Sequence, residues 1–126
     1  MFTRPQTCIG FWWPLEDCTT ENGCLWAVPG SHTGGVQRRF KRDATGAGTE
    51  FEPPEPHPWD LTGAVPLVIP AGSLVILHNA LVHYSGENKS EKSRHAYSIH
   101  VVEAGRGVQY PADNWLQREG PFPRVY

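Results

Sequence analysis

Apolar positions along this chain fall in short runs cut by Gly, Pro, Asn and Asp, and none recurs at helical spacing over a useful length. The first run, Thr7 to Leu15 (TCIGFWWPL), is almost continuously apolar, which predicts a strand covered on both faces. Glu16-Asp17 ends it. Glu21-Asn22-Gly23 then supplies residues that tolerate positive φ, so a tight turn is expected to join this strand in a hairpin to a second, Cys24 to Val28. Pro29-Gly30-Ser31-His32 makes the next turn, and Thr33 to Arg42 reads as a short basic edge segment. From Asp43 to Gly63 the composition shifts to Gly, Thr, Glu and Pro. Pro53, Pro54, Pro56 and Pro58 are too dense for a helix or an interior strand, and predict a long Pro/Gly-rich loop of the kind that serves as a lid or insertion.

The second half repeats the short-strand pattern. Val65 to Ile69, Ser73 to His78, Ala80 to Tyr84 and Arg94 to Val102 read as strands, separated by Pro70-Ala71-Gly72 and by the polar turn Gly86 to Ser93. In the last strand, alternation places Arg94, Ala96, Ser98, His100 and Val102 on one face and His95, Tyr97, Ile99 and Val101 on the other. The tail from Glu103 onward, with Asn114-Trp115-Leu116, is expected to wrap the sheet as loop or a short helical turn. There is no internal repeat. Short antiparallel strands between Gly/Pro turns predict an all-β fold, a jelly roll or double-stranded β-helix of the cupin-like kind, in a single domain over residues 1–126.

Composition narrows the function classes. With 39% hydrophobic and 19% charged residues the chain is globular in type, and no apolar stretch approaches the roughly 18–20 residues of a membrane span. A formal net charge of −2 gives no field that would draw nucleic acid or an anionic membrane. Arg38, Arg39, Lys41 and Arg42 form the one local patch for a phosphate-bearing partner, against the plainer reading of a solvated strand end. Cys8, Cys18 and Cys24 make neither a CxxC pair nor an even disulfide set, and no signal peptide starts at Met1. An intracellular, cytoplasmic location is therefore expected, and Arg124-Val125-Tyr126 is no peroxisomal address. The cysteines are expected to be core thiols; a Zn site built from them and a histidine is the alternative.

The candidate chemistry centres on His83 and Arg94, which lie eleven residues apart across a strand end and a polar turn, so they can be neighbours in space. A neutral imidazole is a good Fe(II) ligand, and the arginine fork matches a carboxylate through two parallel hydrogen bonds. Together they would hold a chelating keto acid. Taken singly, each is as readily an ordinary surface residue.

Larger pieces of sequence change the weights. Leu15-Glu16-Asp17-Cys18-Thr19-Thr20-Glu21-Asn22-Gly23-Cys24-Leu25, continuing to Pro29-Gly30-Ser31-His32, resembles the LEDxTxENGxLxxxPGSH signature of the phytanoyl-CoA dioxygenase family. So do Pro70-Ala71-Gly72-Ser73-Leu74-Val75, His78-Asn79, Val82-His83-Tyr84-Ser85-Gly86-Glu87-Asn88 and Ser93-Arg94, in matching order and spacing over roughly residues 8–102. The Asn114-Trp115-Leu116-Gln117 tail is similar to that of one branch of the family. The resemblance implies a non-haem Fe(II)/2-oxoglutarate-dependent dioxygenase with a double-stranded β-helix. It implies that His83 is the distal iron ligand, that Arg94 binds the 5-carboxylate of 2-oxoglutarate and that Trp12 lines the co-substrate pocket. His32 matches a position where the family often has histidine, and reads as turn-stabilising or substrate-facing. His78, His95 and His100 read as core or sheet-surface histidines, and His57 as solvent-exposed.

One departure matters. The family's iron site needs a His-x-Asp or His-x-Glu, but the residues two places after the six histidines are Gly34, Trp59, Ala80, Ser85, Tyr97 and Val102. The resemblance places the missing pair upstream of Met1, so the β-helix is expected to be N-terminally incomplete, with unpaired sheet edges, and inactive alone. The substrate implied is a small molecule; lipid-like, acyl-CoA and small-alcohol substrates all stay open. A non-catalytic β-helix module that binds a carboxylate ligand or a protein partner through Arg94 is the alternative function.

Overall fold

The short apolar runs do form strands. A computed structural model of the chain describes residues 1–55, 58–105 and 107–125. His57, expected to be exposed, and Tyr126 of the C-terminal tripeptide lie outside the described residues. The strands are β1 (Ile9–Pro14), β2 (Leu25–Ala27), β3 (Arg39–Arg42), β4 (Thr49–Glu52), β5 (Val65–Pro66), β6 (Val75–His78), β7 (His83–Ser85) and β8 (Ala96–Val101). A single 3-10 turn, Ser31–Gly34, occupies the PGSH segment. The all-β expectation holds.

Two antiparallel sheets carry the fold, with strand orders β6-β1-β8 and β5-β2-β7, and β3-β4 forms a separate two-stranded ribbon. Cys8, Cys18, Cys24, Leu25, Ala27 and Leu77 make up the buried apolar core. In β1 the alternate residues Gly10 and Trp12 pair with Leu77 and Val75 of β6 and with His100 and Ser98 of β8, so these side chains share the face that carries buried Leu77. The opposite face holds Phe11 and Trp13, ring-stacked at 6.1 Å, with Tyr97 against Trp13 at 6.1 Å. That face is not covered as the sequence predicted. Ile76 is 59% exposed and Tyr97 58% exposed, because nothing in the described residues packs over them.

The hairpin expectation also fails. β1 pairs only with β6 and β8, and β2 only with β5 and β7. The reason is local. Residues 16–23 form a compact loop in which the Asn22 side chain accepts from Thr19 N–H at 2.8 Å and donates to the Asp17 carbonyl at 2.8 Å, while Cys24 N–H donates to the Thr19 carbonyl at 2.9 Å. This loop carries the chain from one sheet to the other. Gly23 takes the positive φ foreseen, 81°, and a Cβ there would sit 2.7 Å from the Gly86 carbonyl oxygen. Glycine therefore permits close contact with the turn leading to Arg94.

The 43–63 excursion is not all loop, since β4 pairs with β3 ahead of the first proline. Phe40 and Phe51 meet across the pair at 5.0 Å. Arg38, Arg39 and Lys41 of the basic cluster are matched within the chain. Lys41 pairs with Glu52 at 3.0 Å and Glu50 at 3.5 Å, and Arg39 with Asp113 at 2.7 Å and Glu52 at 3.2 Å. Arg38 donates to the Pro53 and Pro54 carbonyls and lies 4.0 Å over the Phe51 ring. These contacts favour a structural role over a polyanion site. The tail wraps as loop: buried Asn114 accepts from Phe2 N–H at 3.1 Å and donates to the Phe2 carbonyl at 2.7 Å.

Candidate functional site

The site grows out of the β2–β7 register. Ala27 lies opposite His83, and Leu25 opposite Ser85. Directly paired residues share a sheet face, so His83 and Ser85 project to the side on which Leu25 and Ala27 are buried. His83 is pre-oriented. Its Nδ1 lies 2.8 Å from the Leu81 carbonyl, which can only accept, so Nδ1 carries the proton and Nε2 keeps its lone pair. A histidine that binds a metal through Nε2 needs this tautomer.

Arg94 reaches Ser85, donating from Nη2 to the hydroxyl at 3.0 Å, and its guanidinium carbon stands 5.8 Å from the centre of the Trp12 ring. Its Nε is buried with no hydrogen-bond partner. A buried N–H without an acceptor costs roughly 1–3 kcal/mol, so this atom marks a place where an acceptor belongs. Arg39 Nε is in the same state, but its guanidinium already holds two carboxylates. The structure thus brings Arg94 against Trp12 and against Ser85, two residues along β7 from His83. His83 and Ser85 are two residues apart on one strand, roughly 7 Å, comparable with the span of a five-carbon diacid.

One contributor escaped the sequence reading. Ser85 anchors Arg94, and a hydroxyl in a polar segment gives no periodic signal of that role. His100, read as a core or sheet-surface residue, lies close enough to His83 to feel its charge. It pairs with Gly10, where an added Cβ would lie 3.7 Å from the imidazole. It titrates below an ordinary histidine, chiefly because burial disfavours the charged ring, with the N-terminal ammonium and His83 adding to the effect. Alternation had placed it on the Arg94 face. His32 has the structural role: its ring stacks obliquely on His78 at 5.3 Å, and neighbouring Ser31 accepts from Val82 N–H at 2.9 Å, fixing the approach to His83.

Beside His83 opens a cavity of about 340 Å³ with Val36, Trp59, Leu61, Leu81 and Val82 in its walls. Its apolar side chains suit the body of an organic substrate. The residues present fit a dicarboxylate co-substrate, but not a metal by themselves. Among the described residues no three His, Cys, Asp or Glu side chains are grouped as a metal requires, and Cys8, Cys18 and Cys24 are free and buried. Among the described residues the Zn alternative thus finds no ligand set.

Comparison with known proteins adds independent findings. The sequence model of one family, described as Phytanoyl-CoA dioxygenase (PhyH), matches residues 1–96. Phytanoyl-CoA dioxygenase 1 of Oryza sativa subsp. japonica is 46% identical, over 100% of this chain and 43% of its own length. Phytanoyl-CoA dioxygenase of Arabidopsis thaliana is 49% identical over 94% of this chain and 40% of its own length. Phytanoyl-CoA dioxygenase domain-containing protein 1 of Bos taurus is 46% identical over 100% of this chain and 44% of its own. The chain therefore spans less than half the length of these relatives. Among solved structures, EvdO2 from Micromonospora carbonacea var. aurantiaca, complexed with 2-oxoglutarate, superposes with a TM-score of 0.61 at 25% identity, covering 90% of this chain and 47% of that one.

Proposed function

We propose, from the premise that this chain belongs to the phytanoyl-CoA dioxygenase family, that it carries the co-substrate clamp and one metal ligand of an Fe(II)/2-oxoglutarate-dependent hydroxylase. The observation that carries the reading is the buried, unpartnered Nε of Arg94, held beside Ser85 and Trp12 near an imidazole whose Nε2 is free. A structural neighbour complexed with 2-oxoglutarate supports it. Iron and 2-oxoglutarate, when bound, would supply oxidative decarboxylation by O2, one oxygen atom going to succinate as CO2 leaves and the other hydroxylating a C–H bond. The chain's own residues bind and orient. Arg94 and Ser85 grip the distal carboxylate, Trp12 walls it, and His83 offers one imidazole.

One imidazole gives no chelate. In this reading the other two ligands come from residues outside this sequence, and the chain alone is inactive. The apolar cavity beside His83 supports a small-molecule substrate with an apolar body, lipid-like or acyl-linked. Three free buried thiols support a reducing, intracellular compartment.

Iron binding tests this directly. The comparison is between this chain and an extended chain in which the N-terminal part of the rice relative precedes Met1, both dialysed anaerobically against Fe(II) and 2-oxoglutarate. The extended chain is expected to retain about one iron per molecule and this chain next to none. Stoichiometric iron in this chain would overturn the reading. The clamp also supports a second, non-catalytic reading as a carboxylate-binding module, which calorimetric binding of 2-oxoglutarate without metal would favour.

A further inference from the structure

We infer that Glu16 is a positioning residue for the co-substrate clamp, fixing Arg94 by gripping the residues on either side of it. The inference rests on the clamp reading of Arg94 and goes beyond it.

Arg94 lies before β8 begins at Ala96, so it has no partner in the sheet ladder. The ladder ends with Pro14 opposite Ala96, and one more backbone bond runs from Leu15 N–H to the His95 carbonyl at 2.9 Å. Beyond that point the Glu16 side chain takes over. One carboxylate oxygen accepts from the Ser93 hydroxyl, and the other accepts from His95 N–H at 2.6 Å and lies 3.2 Å from His95 Nδ1. A single carboxylate thus holds both sequence neighbours of Arg94.

Glu16 is itself well founded. It follows β1, the Asp17 carboxylate next to it accepts from Ala71 N–H at 2.8 Å, and Cys18 N–H donates to the Ile69 carbonyl at 2.9 Å. The segment 12–16 therefore delivers both Trp12, the wall of the clamp, and Glu16, its grip. A carboxylate suits the task because every group that meets it donates. An amide would turn a donor toward a donor, and hydrogen bonds to an ionised acceptor are roughly twice as strong as neutral ones. The bond from Ser93, then that from His95 N–H, hold Glu16 below the usual glutamate range. It is therefore ionised at neutral pH, and the grip is lost as pH falls through that lowered value.

The functional consequence concerns length. In the clamp reading Arg94 sets where the remote carboxylate of the diacid sits, so a loosened Arg94 weakens the choice between five- and six-carbon keto diacids.

The test uses the extended chain with Fe(II), following succinate formation against 2-oxoglutarate and glutarate formation against 2-oxoadipate. Glu16→Gln is expected to raise the KM for 2-oxoglutarate about tenfold with kcat within about twofold, and to narrow the preference over 2-oxoadipate. A residue that merely supported folding would lower the active fraction, and hence apparent kcat, at unchanged KM. Should Glu16→Gln fail to fold, Ser93→Ala, which removes one bond, is expected to raise KM about threefold. Unchanged KM and selectivity in the variant that folds, with Arg94→Ala strongly impaired, would overturn the role of Glu16 alone. Unchanged KM in Arg94→Ala as well would overturn the clamp and this inference with it.

Discussion

His83→Ala, introduced into the extended chain, is expected to bring succinate formation down to background, a loss of at least about a hundredfold. The expectation follows from geometry. The Leu81 carbonyl holds Nδ1 as the protonated nitrogen, which leaves Nε2 free beside the apolar cavity. His100 is not placed to take over, because it stands on β8 of the other sheet and does not line the cavity beside His83. His32 and His78 are occupied with each other and with the backbone. Circular dichroism should show His83→Ala folded like the parent, since the exposed ring fills no core. Iron content should fall with activity. Retained turnover would refute His83 as a ligand.

The next largest effect is expected from Arg94→Ala, through the co-substrate. Removing one partner of a desolvated, charge-assisted pair costs about 2–5 kcal/mol, and every 1.4 kcal/mol is tenfold, so the KM for 2-oxoglutarate should rise roughly thirtyfold or more. At saturating co-substrate, kcat should suffer much less, since Arg94 meets the carboxylate remote from the reacting carbons. Arg94→Lys should not restore affinity. A lysine point charge cannot serve Ser85 and a carboxylate through the planar fork that Nε and Nη2 provide. Initial rates against 2-oxoglutarate decide it, and an unchanged KM would remove the clamp.

How far the sequence reaches depends on whether a residue's role is local or assembled. The alternation of β8 was legible because a pleated strand has a fixed period of two: Ala96, Ser98 and His100 share the face that carries Trp12. Positive φ at Gly23 was legible too, because turn chemistry is local. Its destination was not: nothing in Glu21-Asn22-Gly23 says that the chain crosses to another sheet instead of folding back. The strand β4 was hidden by the prolines that follow it; the carboxylates facing Arg39 and Lys41 and the Phe40–Phe51 contact hold Thr49–Glu52 in its pair. Ser85 and Glu16 carry no periodic signature. Each acquires its part only when folding brings Arg94 to it, from nine residues away for Ser85 and from across the sheet for Glu16. The exposed apolar face of β6-β1-β8 was invisible as well, because an apolar run reads alike whether covered or bare.

The chain belongs to its family by matched sequence, and in the proposed reading the metal site is completed by residues that the extended chain supplies. Succinate release from 2-oxoglutarate with Fe(II) and O2, followed side by side in this chain and in the extended chain, tests it most directly. Iron-dependent release from the extended chain, with only background from this one, is the predicted result. Equal, robust release from both would contradict it.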